Sequence, residues 1–169
     1  NSMLQGGAYT LTVDVAPPPP PGDTCDEPIV VDALPYSSEG DSTGAAKDYS
    51  IEASDCTGVS YARGQASSDL AYEFSPTEDG EYIISLESGF DSILYVLADC
   101  TDSSTCQGAA DDAGSNGTEE LTVSMTGGET YYIIVDGYSN YTNLSGPFTL
   151  TVEALAAPAP LVINEVDYD

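Results

Sequence analysis

GPFTLTVEA, residues Gly146–Ala154, reads as a β-strand: Phe148, Leu150 and Val152 alternate with Thr149, Thr151 and Glu153. Period-two alternation puts the apolar set on one face of a sheet and the polar set on the other. The same stretch occurs near the other end of the chain as GAYTLTVDV, Gly7–Val15, with Tyr9, Leu11, Val13 and Val15 on the apolar side. Each copy runs into a linker, APPPPPG at 16–22 and LAAPAP at 155–160. A closing strand that appears twice around a body that appears once predicts a piece of a multidomain protein. Residues 1–15 read as the terminal strand of a preceding repeat, a possible donor strand, and 16–22 as a Pro linker. Residues 23–154 form one complete β-sandwich, 155–160 a Pro/Ala linker, and 161–169 the first strand of a following domain.

The body between the copies alternates in the same way. Leu70, Tyr72 and Phe74 do so in DLAYEFSP, Tyr82, Ile84 and Leu86 in GEYIISLES, and Leu121, Val123 and Met125 in ELTVSM. SILYVLAD (92–99) is more fully apolar, and Tyr131–Val135 reads as a central strand buried on both faces. Pro28–Asp32 and Asp48–Glu52 are weaker strands. Turn residues at 78–80, 88–89, 127–128 and 136–137 separate the runs. About eight short strands with this punctuation predict an all-β fold, an antiparallel β-sandwich or jelly roll.

Charge excludes several functions. The chain has 29 acidic residues against Lys47 and Arg63, a net charge of −27. Phosphate contacts need Lys and Arg, so nucleic acid is not a partner. An anionic membrane surface repels such a chain, and it has no apolar run long enough for membrane insertion. Self-repulsion on this scale is relieved by bound divalent cations or by high salt; simple solubility is the duller purpose of the charge.

Cys25, Cys56, Cys100 and Cys106 form an even set in a chain with no His and no CxxC. That favours disulfides over zinc and implies an oxidising, extracellular location. Proximity in sequence pairs Cys100 with Cys106 and Cys25 with Cys56, worth roughly 2.5 and 3.7 kcal/mol by loop entropy. Ser92–Asp99 and Gln107–Asp112 then form a hairpin closed by Thr101–Thr105. Its register sets Tyr95 against Asp111, Leu94 against Asp112, and Asp91 against Ser115. Asp91, Asp111, Asp112 and Asn116 would converge at one end as oxygen ligands for calcium. The alternative is that each Asp caps its own turn.

Several segments, in order, resemble the bacterial pre-peptidase C-terminal (PPC) domain family. They are Ala71–Pro76, Gly80–Tyr82, Phe90–Val96, Asp111–Asp112, Gly128–Gly137 and Gly146–Val152. The likeness covers 70–154 well and 23–69 poorly. It implies a β-sandwich appended to secreted proteases and other surface proteins, with collagen-binding modules of clostridial collagenases among its relatives. It also implies calcium ligands in the segment entering the sandwich, here Asp23, Asp26 and Glu27. The paired cysteines depart from the plainest members and suggest a subgroup of large secreted proteins. PLVINEVDYD, Pro160–Asp169, resembles the opening strand of bacterial lamin-tail domains.

Catalysis finds little support. Without His a Ser-His-Asp triad is impossible, and a Ser–Lys dyad would rest on Lys47 alone. Chance carboxylate pairs are plentiful, so they do not argue for a glycosidase. Tyr138 and Tyr141, in the loop GYSNYTNLSG, with Tyr36 and Tyr61 in other loops, are candidates for holding extracellular polysaccharide or protein through aromatic faces; a mixture of core and rim tyrosines is the alternative. Tyr9–Val15 cannot be stable as a lone strand. It would add to a neighbouring domain or copy of itself, building a fibre, or fold back on its own module. Asn116, Asn140 and Asn143 begin glycosylation sequons. The sequence therefore predicts a non-enzymatic, secreted structural or adhesion module, stabilised by calcium; the alternative is a carbohydrate- or collagen-binding-like accessory module of a secreted hydrolase.

Overall fold

The computed structural model describes residues 8–15 and 18–156. The strand expected at 161–169 lies outside the described residues. Among these residues nine strands form two sheets. Sheet A contains β1 (Ile29–Val31), β3 (Leu70–Phe74), β8 (Tyr131–Gly137), β5 (Ser92–Leu97) and β6 (Cys106–Ala110), in that order. Sheet B contains β2 (Tyr36–Asp41), β9 (Pro147–Ala154), β4 (Gly80–Ser88) and β7 (Thr118–Met125). Every neighbouring pair is antiparallel except β1 and β3. The chain is an all-β sandwich, and no helix of the described residues is long and apolar enough to cross a membrane.

Alternation accounts for three strands of sheet B, β9, β4 and β7. Phe148, Leu150 and Val152 of β9, Tyr82, Ile84 and Leu86 of β4, and Val123 and Met125 of β7 face inward. They meet Leu70, Tyr72 and Phe74 of β3, with Tyr72 edge-on to Phe148 and Phe74 edge-on to Tyr82. Sheet A is buried on both faces, as expected of the apolar strands β5 and β8. Its outer face carries Ile93, Tyr95, Leu97, Ala71 and Ile134 in a second apolar cluster. Residues 42–69 cover that face. They form no strand, only one bridge between Ile51 and Arg63, so Asp48–Glu52 is not the strand it was read as. Tyr36, read as a loop residue, opens β2.

The disulfides differ from the sequence expectation. Cys25 pairs with Cys100, and Cys56 with Cys106. Proximity in sequence misleads because Asp102 caps a 3-10 turn at Ser103–Thr105 and a register shift follows Val96. Cys100 is then buried in the outer cluster beside Tyr49. Tyr95 faces Ala109 and Leu94 faces Ala110, two residues short of the expected register, so Asp111 and Asp112 lie beyond β6. The bonds therefore tie two separate loops to the outer face of sheet A.

Closing loops this long restricts the unfolded chain by roughly 4 kcal/mol per bond. A Cys56→Ser/Cys106→Ser variant should lose stability on that order in denaturant unfolding. Digestion without reductant should release Cys25 linked to Cys100 and Cys56 linked to Cys106; a Cys100–Cys106 peptide would refute this connectivity.

Candidate functional site

The loop end of sheet A gathers the side chains with the most chemistry. The Ile51–Arg63 bridge, with N–O distances of 3.1 and 2.8 Å, delivers Arg63 to this end. Its Nε donates to Asp111 Oδ2 at 2.6 Å, and its Nη1 donates to the Ala62 carbonyl at 3.1 Å. The guanidinium carbon lies 4.3 Å from the Tyr138 ring centre and 5.7 Å from that of Tyr61. Both are within cation–π range. A planar guanidinium held at its edge by a carboxylate keeps its faces free for aromatic contact. Asn140 joins the loops: its Nδ2 donates to the Ala62 carbonyl at 2.6 Å, and its Oδ1 accepts from Gln65 N at 3.2 Å. Tyr61, Tyr138 and Tyr141 remain 71, 38 and 94% exposed.

Asp111 pairs with Arg63, and Asp91 lies near enough to feel both charges. Burial raises the Asp91 carboxyl above its usual range, the Asp111 charge adds to this, and Arg63 opposes it. Asp112 and Asn116 do not join them. The Asp112 amide donates to Glu119 Oε2 at 2.8 Å and its side chain is exposed. Asn116 sits in the left-handed region, φ 61°, and lines a separate open cleft of about 720 Å³ with Glu39, Asp41 and Glu87. At the entry segment, Asp23 Oδ1 accepts from Ala46 N at 2.6 Å. Asp26 lines a cleft of about 480 Å³ with Asp48, Tyr49 and the Cys25–Cys100 bond, and Glu27 is exposed. Among the described residues, no three His, Cys, Asp or Glu stand close enough together to hold a metal ion.

Sequence reasoning missed the buried acids. Asp69 and Asp136 have no exposed surface. Asp69 Oδ2 accepts from Asp48 N and Tyr49 N, both at 3.1 Å, while Oδ1 has no partner. Asp136 Oδ1 accepts from Gly137 N, and its Oδ2 accepts from the Tyr95 hydroxyl at 3.3 Å. Its Oδ2 also fills the space where a side chain at residue 64 would go, so Gly64, with φ 88°, is required there. Desolvation pushes Asp69 up to about 7, with added repulsion from Asp48 and Asp23, and pushes Asp136 well above the carboxylate range. Asp136-Gly137 was read as a turn; it ends β8, and only its strand neighbours could have marked it as buried. Arg63 carried a sequence signal, being one of two cations among 29 acids.

No protein-family model and no curated protein matches the chain. Solved structures similar to it include the following three. The pre-peptidase C-terminal domain of a collagenase from Bacillus anthracis is 17% identical, with a TM-score of 0.47 over 75% of this chain and 95% of that one. PliG from Aeromonas hydrophila, a periplasmic inhibitor of g-type lysozyme, is 11% identical, with a TM-score of 0.40 over 75% and 95%. A GH26-CBM35 beta-(1,4)-mannanase from Podospora anserina is 15% identical, with a TM-score of 0.37 over 73% of this chain and 28% of that one.

The raised Asp69 carboxyl sets the sign of a pH effect. The folded state keeps its proton up to about pH 7, whereas the unfolded chain loses it near 3.8. The resulting stabilisation is full below pH 4 and fades as pH rises to 7. Asp69→Asn should therefore show a shallower fall in Tm between pH 4.5 and 7.5 than the parent, measured by calorimetry. Asp136 and Glu119, also raised by burial, leave part of the slope. An unaltered slope in the variant would refute the assignment to Asp69.

Proposed function

We propose that this chain is a non-enzymatic accessory module of a larger secreted protein and works by adhesion, through the loop end of sheet A. The observation that carries this reading is the cluster of Tyr61 and Tyr138 about Arg63, both within cation–π range, with Tyr61 and the nearby loop residue Tyr141 open to solvent. Exposed aromatic rings on a rigid support offer contact area at low entropic cost, and a sugar ring presents a complementary apolar face. Polar groups at the rim, among them Gln65 and Asn140, supply orientation. The ligand class is extracellular polysaccharide, with protein as the alternative. Two disulfides suit an extracellular location, and the chain lacks the His that a hydrolytic triad requires.

A second reading is assembly: Tyr9, Leu11, Val13 and Val15 are 88, 77, 83 and 96% exposed. An apolar strand sequence left in water favours head-to-tail strand donation between copies. Calcium enters as a counterion for the acidic surface, supported by the net charge of −27.

Tyr61→Ala and Tyr138→Ala should each weaken polysaccharide binding about tenfold, with an unchanged Tm, in glycan-array and calorimetric titrations; loss of one aromatic contact of about 1.4 kcal/mol gives that factor. A wild-type chain that retains no glycan would remove the carbohydrate reading. For calcium, the Tm at low ionic strength should rise with millimolar CaCl2 by more than with NaCl of equal ionic strength, and fall back with chelator. Equal effects of the two salts would reduce the role of calcium to screening.

A further inference from the structure

We propose that Tyr9–Val13 of a second copy docks on the outer edge of β2, antiparallel to it. The inference rests on the assembly reading and specifies its acceptor. Tyr9-Thr-Leu-Thr-Val13 repeats Phe148-Thr-Leu-Thr-Val152 of β9. β9 is already the antiparallel partner of β2, with Phe148 opposite Gly40, Leu150 opposite Ser38 and Val152 opposite Tyr36. A strand with the β9 sequence therefore matches the alternation of β2. On the outer edge the same register sets Tyr9 against Gly40, Leu11 against Ser38 and Val13 against Tyr36. Thr10 and Thr12 then lie on the polar face beside Glu39 and Ser37, and Asp14 falls past the end of β2, clear of Glu39 and Asp41.

The surroundings favour β2 over β7, the other edge of sheet B. β7 packs over β5 and β6, and β2 lies over β3, where Tyr36 meets Tyr72 edge-on at 6.4 Å. Sheet A has five strands and sheet B four among the described residues, so β1 has no counterpart. Ile29, Leu34 and Tyr36 on this side are only partly buried against the core. An added strand with Tyr9, Leu11 and Val13 facing inward would complete their burial and equalise the sheets. At β7 the inward position of Glu119 is already covered, its carboxylate accepting from Asp112 N and Ala113 N. Within one chain Tyr9–Val15 stays exposed, which points to a second molecule as acceptor. One contact links the donor strand of each copy to a different surface of the next, so it propagates as a chain of molecules.

The test uses the full chain in 1 M NaCl, where the screening length is about 3 Å and the acidic surfaces no longer keep copies apart. Sedimentation velocity should show mass rising with concentration. Hydrogen exchange should show Tyr36–Asp41 gaining protection in step with it, while Thr118–Met125 does not. A Leu11→Asp/Val13→Asp variant, altered only where the side chains are exposed, should remain monomeric with an unchanged Tm. Assembly that protects β7, or that survives this variant, overturns the docking while leaving assembly itself intact. Protection of β2 that does not vary with concentration assigns the strand to its own chain and overturns the proposal. A chain that stays monomeric at every concentration overturns both the docking and the assembly reading.

Discussion

The structure depends on covering the outer face of sheet A. Ile93, Tyr95, Leu97, Ala71 and Ile134 present an apolar surface there that water would penalise. The cover is residues 42–69, a segment without a strand ladder of its own. Such a segment has little to hold it against the entropy of a long loop. The Cys56–Cys106 bond supplies part of the restraint, and the Tyr49 hydroxyl reaches the Cys25–Cys100 bond by donating to Cys25 Sγ at 3.0 Å. The rest comes from polar anchors: Asp69 accepting from Asp48 and Tyr49, Asp23 accepting from Ala46, and the Ile51–Arg63 bridge.

The candidate site is a product of that cover. Arg63 reaches Asp111 and Tyr138 because the bridge to Ile51 turns the chain back over the sheet. Asn140 then fastens the covering segment to the β8–β9 loop. Tyr61 and Tyr138 come from segments far apart in sequence, and they approach one guanidinium because both loops end at the same edge. The oxygen ligands expected to bind metal are divided by the same geometry, with Asp111 paired to Arg63, Asp91 near both, and Asn116 in another cleft.

Charge acts in opposite directions at the surface and beneath it. Exposed Asp41 and Asp99 and half-buried Asp55 hold their carboxyls below the usual range by accepting hydrogen bonds from Thr43, Thr101 and Ser103. Asp69 and Asp136, shut away from water, are driven the other way. With two cations in the whole chain, the fold has little positive charge to offer them, and Arg63 is committed to Asp111. Each of the two carboxyls therefore holds its proton to a higher pH than an exposed one.

The fold class was legible in the sequence because alternation is local. Phe148–Val152, Tyr82–Leu86 and Leu121–Met125 each declare one apolar face, and Tyr131–Val135 declares two. The even cysteine set declared two bonds. Which cysteines pair, and which acids are buried, belong to the tertiary structure alone. A single shift after Val96 and a capped turn at Asp102 redirect Cys100, and no residue pattern records either event. Tyr36–Asp41, YSSEGD, has no apolar alternation of its own and becomes a strand because β9 offers it a ladder. Arg63, Tyr61, Asp111 and Tyr138 meet only when sheet A closes under its cover, since contact between distant segments is decided by packing and not by local preference.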